Sequence, residues 1–379
     1  MVKKKGNKNI QLLIKTTAAL LGAAALFVLW PWVKPLADAL LGQATLVSAV
    51  LTMPDGAALT LQERFAAEVI PPDEIDTPPD DPEVHPPASS SSSSSPPRTD
   101  EPGFIANADI PPEYQAALVE NTVQGDANNL AFIQWQSGWI RNYTKLTREK
   151  ILEVLATPDQ LALTPGKEPQ VLIYHTHTTE SYDSSPGVIY DTRNTWRDTN
   201  KEVNMAKVGD ALAKGLEAQG ISVIHDTTLH DYPSYNGAYD RSRITIQKYL
   251  KKYPSIRVAI DVHRDAVIYD DLSVLKPVVT VAGKKAAQLM ICAPCDDGSV
   301  GVPNWQNNFR FAAGLTAALE EAVPGITRPV FFCYRNYNLD MTSGSLLFEF
   351  GTNGNTLEEA IYSAELTAPV LAEYLISGK

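Results

Sequence analysis

The sequence predicts an α/β fold, a mostly parallel central sheet with helices on both faces, preceded by a transmembrane anchor and a disordered stalk. Three features carry that prediction. A charge-free apolar run follows a basic N-terminus, and a Pro-, Asp- and Ser-rich stretch separates that run from the rest. After Pro165-Gly166, short apolar runs alternate with amphipathic segments, the pattern of strands joined by crossover helices in packed layers.

Residues 1–9 read as a basic cytoplasmic tail and residues 10–33 as a transmembrane anchor. Thr16 to Val33 carries no charge, and its 18 residues span ~27 Å as a helix, close to one hydrocarbon core. Trp30 and Trp32 sit at its far end, where amphipathic rings favour the interface. Lysines ahead of the span predict a single-pass protein of the cell membrane whose remaining chain is extracytoplasmic. A signal peptide cleaved near Ala37-Asp38-Ala39 is the alternative, and it exports the same residues.

Residues 34–110 read as an extended stalk, with an unbroken serine run from Ser89 to Ser95. Such a composition buries too little apolar surface to offset its ordering entropy. Residues 111–166 read as a helical lead-in, with helices over Pro112–Asn121 and Thr147–Ala156, and residues 167–379 as the catalytic domain. In that domain strands are expected at Gln170–His175, Ile221–His225, Arg257–Val262, Pro277–Ala282, Gln288–Ala293, Pro329–Tyr334 and Ser345–Phe350. Helices are expected at Val203–Ala218, Arg241–Lys252, Asn308–Ala322 and Thr356–Ile376, with Gly220 as a C-terminal cap.

A formal net charge of −12 argues against nucleic acid as a partner, because phosphate binding needs a basic face. Cys292 and Cys295 have CxxC spacing, but no second pair or adjacent histidine completes a zinc knuckle. Together with Cys333 they read as buried thiols of neighbouring strands.

Ligand sites in such sheets lie beyond the carboxyl ends of the strands. Three segments there concentrate metal-ligand residue types: Tyr174 to Glu180, Asp261 to Asp265, and Phe348 to Gly351. His177, Glu180 and His263 make a set of two imidazoles and one carboxylate, the donor set of a hydrolytic zinc site with an open position. Zinc is therefore the expected cofactor. Glu349 stands alone in an apolar run and suits a general base that passes a proton to a leaving nitrogen. A structural salt bridge between Glu349 and Arg335 is the plainer reading of the same residue. His175 lies two residues before His177 and, if the chain stays extended, shares its face, as a ligand in its place or as a supporting partner. Glu202, expected to begin a helix, is the alternative carboxylate. His85, His225 and His230 read as structural.

At these segments the chain resembles the stage II sporulation protein P family of sporulation cell-wall hydrolases. The resemblance runs through the stretch Val171 to Tyr182, then Val208-Gly209 with Leu212-Ala213. It continues through Ile260 to Asp265, Gly344 to Asn353 and Asn355 to Ala360. It implies a zinc-dependent N-acetylmuramoyl-L-alanine amidase acting on peptidoglycan in engulfment, with endopeptidase activity on cross-links also associated with the family. The fold implied is similar to zinc amidases and carboxypeptidases. The resemblance also implies a lytic transglycosylase and a polytopic membrane protein as partners. In this sequence His177, Glu180 and His263 would hold zinc, Glu349 would do acid/base work, and Arg264 would meet a substrate carboxylate. Threonines flank His177 where a generic wall amidase has a Gly-His-Gly-Gly turn, so the ligand set stays open. Two other functions compete: a zinc carboxypeptidase, which needs a cation such as Arg264 or Arg335 for a terminal carboxylate, and a non-catalytic wall-binding scaffold.

Overall fold

The computed structural model describes residues 110–158, 161–184 and 187–378. The chain divides into Met1–Val69 and Ile70–Lys379, and every described residue belongs to the second unit. The expected tail, anchor and serine-rich stalk, with His85, lie outside the described residues. Among the described residues, no helix is long and apolar enough to cross a membrane.

A short 3-10 turn (Pro112–Tyr114) leads into strand β1 (Gln115–Asn121), then the hairpin β2 (Phe132–Trp135) and β3 (Gly138–Asn142), and helix α1 (Arg148–Leu155). The alternation that follows runs β4 (Val171–Tyr174), β5 (Ile189–Asp191), α2 (Met205–Ala218), β6 (Val223–His225), α3 (Ala238–Lys252) and β7 (Val258–Asp265). After it come β8 (Val274–Val281), β9 (Lys284–Ala287), β10 (Leu289–Pro294), α4 (Trp305–Ala322), β11 (Val330–Cys333), β12 (Gly344–Thr352) and α5 (Leu357–Ser377).

The main sheet has the order β2-β3-β11-β10-β12-β7-β4-β6. Its pairs are parallel except β2 with β3 and β10 with β12. The strands β12, β7, β4 and β6 therefore run one way, and β10, β11 and β3 run the other. The four-residue β4 shows why a continuous apolar run suits a central strand. Val171 and Ile173 enter the large core beneath α2, α4 and α5, while Leu172 and Tyr174 face the cluster beneath Ile246 of α3. Helices thus cover both faces. Cys292, Cys295 and Cys333 are buried along the β10–β11 pair.

Local signals place the helix ends. Asn204 caps α2 by accepting from Ala206 N at 3.0 Å, and Gly220 closes the helix at φ 83°. The start of α5 is a capping box of Thr356 and Glu359.

The lead-in departs from expectation. The helix expected over Pro112–Asn121 is instead the strand β1, because Leu118 is buried between partners distant in sequence. β1 pairs antiparallel with β5 and parallel with β8 in a second sheet ordered β5-β1-β8-β9. β3 joins the main sheet beside β11, so residues before 167 belong to the same sheets as those after it. Among the described residues there, α1, capped by Thr147, is the one α-helix.

A buried ion pair ties the second sheet to α5. Lys276 of β8, 3% exposed, lies 2.9 Å from Glu359 and 3.4 Å from Glu120. Removing one partner of a buried pair leaves a poorly compensated charge. Glu359→Ala is expected to lower unfolding stability by about 3 kcal/mol in denaturant titration; a loss under about 1 kcal/mol would show that Glu120 alone suffices.

Candidate functional site

Three side chains converge where β4 and β7 end. His177 and Glu180 lie in the turn after β4, and His263 stands near the end of β7. Glu180 sits between the two rings, its Oε1 3.4 Å from His177 Nδ1 and its Oε2 3.5 Å from His263 Nδ1. One donor atom from each residue lies within 4.8 Å of the others, and all three are buried. The two rings meet edge to face, 5.0 Å between centroids.

Charge is arranged to hold this carboxylate ionised. Burial pushes the Glu180 carboxyl up, but the Arg264 guanidinium and the two imidazoles outweigh it and hold it well below the usual carboxylate range. Burial lowers His177 to about 4 against the pull of Glu180, so that ring is neutral near pH 7. His263 behaves oppositely. Burial lowers it, yet Asp261, 2.8 Å from its Nε2, and Glu180 raise it well above the ordinary imidazole value.

The donor set fits a tetrahedral metal ion. His177 Nδ1 is sealed from solvent and has no aligned hydrogen bond, although it faces Glu180. Each histidine presents its Nδ1 to a different oxygen of the Glu180 carboxylate, at 3.4 and 3.5 Å, and one donor atom from each residue lies within 4.8 Å of the others, close enough for one ion to draw the three together. Two imidazoles and one carboxylate are the ligand chemistry of open zinc sites. Asp261 places a carboxylate oxygen 2.8 Å from the other ring nitrogen of His263, as a close ion-pair neighbour without an aligned hydrogen bond, and is itself held by Thr176 N at 2.8 Å and Thr176 Oγ1 at 2.6 Å.

Glu349 lies beside this group. It is directly in register with His263 in the parallel pair β12–β7, so both side chains project from the same face of the sheet. Gly351, at φ 71°, lies within the register shift between Glu349 and Thr352, after which Thr352 pairs with Asp265. Any Cβ there would lie 2.4 Å from Asn355 Oδ1.

Other expected site residues stand elsewhere. His175 is not part of the triangle. β4 stops at Tyr174 and the chain turns, so the two-residue alternation of an extended strand no longer relates His175 to His177. His175 Nε2 meets His225 Nε2 at 2.8 Å, and His225 Nδ1 lies 3.0 Å from Asp210 of α2. Gly209 makes room for both rings: a Cβ there would approach His225 Nε2 to 2.5 Å and His175 Cε1 to 2.7 Å. Glu202 lies in a turn before α2, its side chain 71% exposed and paired with Lys207, so Glu180 is the carboxylate that joins the histidines. Arg264 does not face outward. Its Nε donates to Ser181 O and its Nη2 to Trp196 O, both at 2.9 Å, which makes it a support for the Glu180 turn. His230 is buried between His175 O and Thr245 Oγ1.

Three contributors were missed in the sequence: Asp261, Arg197 and Asp231. Asp261 was legible, since it sits two residues before His263 on the same strand face. Arg197 and Asp231 carry no local signal, because they reach the site through a loop and a turn.

The sequence model of the stage II sporulation protein P family matches residues 104–372. The chain belongs to that family. The family's stage II sporulation protein P of Bacillus subtilis (strain 168) is 29% identical over 249 residues, covering 61% of this chain. The match spans 57% of the length of that relative. Among solved structures, the CwlD amidase from Clostridioides difficile, in complex with the GerS lipoprotein, superposes with a TM-score of 0.33 and 12% identity. That match covers 54% of this chain and 94% of the other. The N-acetylmuramyl-L-alanine amidase Ami1 from Mycobacterium abscessus gives 0.32 and 12%, covering 55% and 98%. Similarity of that size leaves the function of this family member to be argued from its own site.

Two outcomes follow from this geometry. Glu180→Gln should abolish stoichiometric zinc binding, and Asp261→Asn should weaken it about 10- to 100-fold, while Glu202→Gln leaves it unchanged; chelator competition measures all three, and equal losses at 180 and 202 would contradict the assignment. A second concerns acid. Burial holds His175 well below the ordinary imidazole value and lowers His225 too. The unfolded chain therefore binds protons that the folded chain refuses once pH falls below about 6.5, and stability drops by up to about 1.4 kcal/mol per pH unit per proton. His225→Gln should make that decline shallower in urea titrations between pH 6.5 and 5.

Proposed function

We propose that this chain is a zinc-dependent peptidoglycan hydrolase, an N-acetylmuramoyl-L-alanine amidase that acts in sporulation outside the cytoplasmic membrane. The single observation that carries this reading is the buried triangle of His177, Glu180 and His263 with Glu349 in register beside it. Family membership supplies the substrate class, and the three-ligand set supplies the chemistry.

Zinc, when bound, polarises the scissile carbonyl and makes water easier to deprotonate. The chain's own groups do the rest. His177 and His263 present nitrogens on either side of Glu180, while Asp261 and Arg264 keep that geometry from relaxing. Glu349, 5% exposed, stands on the same sheet face as His263. It receives the proton of the attacking water on its carboxylate and delivers it to the departing nitrogen. Burial of these groups strengthens each electrostatic contact among them.

The carboxypeptidase reading loses one of its two candidate cations, since Arg264 is taken up by main-chain carbonyls. The scaffold reading requires a missing ligand or base, and the described residues supply all four. Anchorage through residues 10–33, wall-side placement of the hydrolase, and work alongside a lytic transglycosylase and a polytopic membrane protein belong to the same proposal. So does endopeptidase action on cross-links.

The test incubates the full chain with intact sacculi, with and without a chelator, and reads the products by mass. Stem peptides freed at the lactyl amide, and lost on chelation, are the expected outcome. Release that survives chelation contradicts the zinc mechanism. Glu349→Gln should slow release by roughly 10²- to 10⁴-fold while leaving bound zinc unchanged.

A further inference from the structure

Glu180 has a second neighbour across the turn. Glu180 and Arg197 face each other in an isolated antiparallel bridge. Backbone bonds on either side fix it: Ser181 N donates to Trp196 O at 2.9 Å, and Asp198 N donates to Thr179 O at 2.7 Å. Residues opposed in an antiparallel pair project their side chains to the same face. Arg197 is therefore placed beside the triangle by the main chain.

The side chain is then held at one end and presented at the other. Arg197 Nη1 donates to Asp231 Oδ2 at 2.8 Å and to Thr179 Oγ1 at 3.3 Å. The Asp231 carboxylate is wholly buried and also takes the Thr179 hydroxyl at 2.6 Å, so the anchor is rigid. Nη2 lies 3.8 Å from Glu180 Oε1. The guanidinium rests over the ring of Tyr235 at 4.7 Å, and Tyr235 stacks on His177 at 4.5 Å. Arg197 is 31% exposed, whereas the side chains of His177, Glu180 and His263 are 7% exposed or less. A cation that is fixed by a buried acid, seated on the tyrosine that stacks on a ligand histidine and open to solvent can meet a substrate atom at this centre.

We infer that Arg197 is a catalytic residue of the proposed hydrolysis, set to receive the negative charge that gathers on the oxygen of the scissile carbonyl. The inference rests on the hydrolytic reading above. In that step a bond forms between the water oxygen and the carbonyl carbon, and the carbonyl π pair moves onto its oxygen. Glu349 takes the water proton and gives it to the amide nitrogen. The pair on oxygen then re-forms the double bond as the carbon–nitrogen bond breaks and the amine leaves. Arg197 neither gains nor loses a proton, because a guanidinium stays charged throughout; its donors face the oxygen where charge appears. A donor held in place before the reaction lowers the barrier without reorganisation.

The experiment compares the zinc-loaded full chain with Arg197→Gln and Arg197→Lys. It measures kcat and KM on soluble wall fragments and the dissociation constant of a phosphinate analogue of the scissile amide. Zinc affinity is read by chelator competition, with thermal unfolding alongside. The expected result is a fall in kcat of about 10²- to 10³-fold for Arg197→Gln, with little change in KM, zinc affinity or unfolding temperature. The phosphinate should weaken in parallel, and Arg197→Lys should restore part of both. A rise in KM with kcat preserved would make Arg197 a holder of a substrate carboxylate and overturn the inference. Parallel losses of zinc affinity and unfolding temperature that account for the drop in kcat would make it structural and overturn it equally. If the wild-type chain binds the phosphinate yet cleaves no wall amide, the hydrolytic reading fails, and this inference fails with it. Wild-type cleavage with an indifferent Arg197→Gln would sink the inference alone.

Discussion

A carboxylate sealed from water among two imidazoles is the constraint around which this end of the sheet is organised. Burying an ion costs several kcal/mol unless partners and hydrogen bonds replace its hydration. Glu180 meets that demand with His177 and His263 at 3.4 and 3.5 Å, the Arg264 main-chain N–H at 3.3 Å, and the charge of the Arg264 side chain. Each partner is held in turn. Asp261 and Thr176 position His263, and main-chain carbonyls of Ser181 and Trp196 hold Arg264. The result is a preorganised donor set whose geometry is set by contacts on three sides rather than by the turn alone.

The sheet separates two histidine systems that are adjacent in sequence. His175 belongs with His225 and Asp210 against α2, and Gly209 gives it room. His177 belongs with His263 and lies against the tyrosines of the α3 side, Tyr235 and Tyr239. The turn after Tyr174 sends the two rings apart, and this gives each a distinct electrostatic setting. Burial lowers both rings of the first pair, whereas in the second His263 is raised by Asp261 and Glu180.

The same logic explains how the molecule brings its reactive groups to one edge. β12, β7 and β4 run in the same direction, so their carboxyl ends coincide. Register does the fine placement: Glu349 stands opposite His263, and Tyr174 opposite Asp261. Antiparallel β10 on the far side of β12 contributes apolar support there, with Met290 beside Glu349.

Much of this was legible in the chain itself. Apolar runs such as Val171–Tyr174 are strands because only a strand covered on both faces can bury four such residues in succession. Gly220 marked the end of α2 because a glycine takes the left-handed conformation that closes a helix within a few residues. His177, Glu180, His263 and Glu349 stood out for the same reason, since ligand-type residues at strand ends are a local pattern. What only the tertiary structure decided depends on partners far along the chain. β1 is a strand because β5 and β8 flank it, although its own sequence suits a helix. Glu180 rather than Glu202 joins the histidines because the bridge to Arg197 turns it inward, while Glu202 is left in solvent with Lys207. Arg264 serves the main chain, and Arg197 takes the exposed place at the site. Hydrophobic period and capping act over a few residues and are written locally, whereas the direction in which a turn aims its side chains is set by long-range contacts.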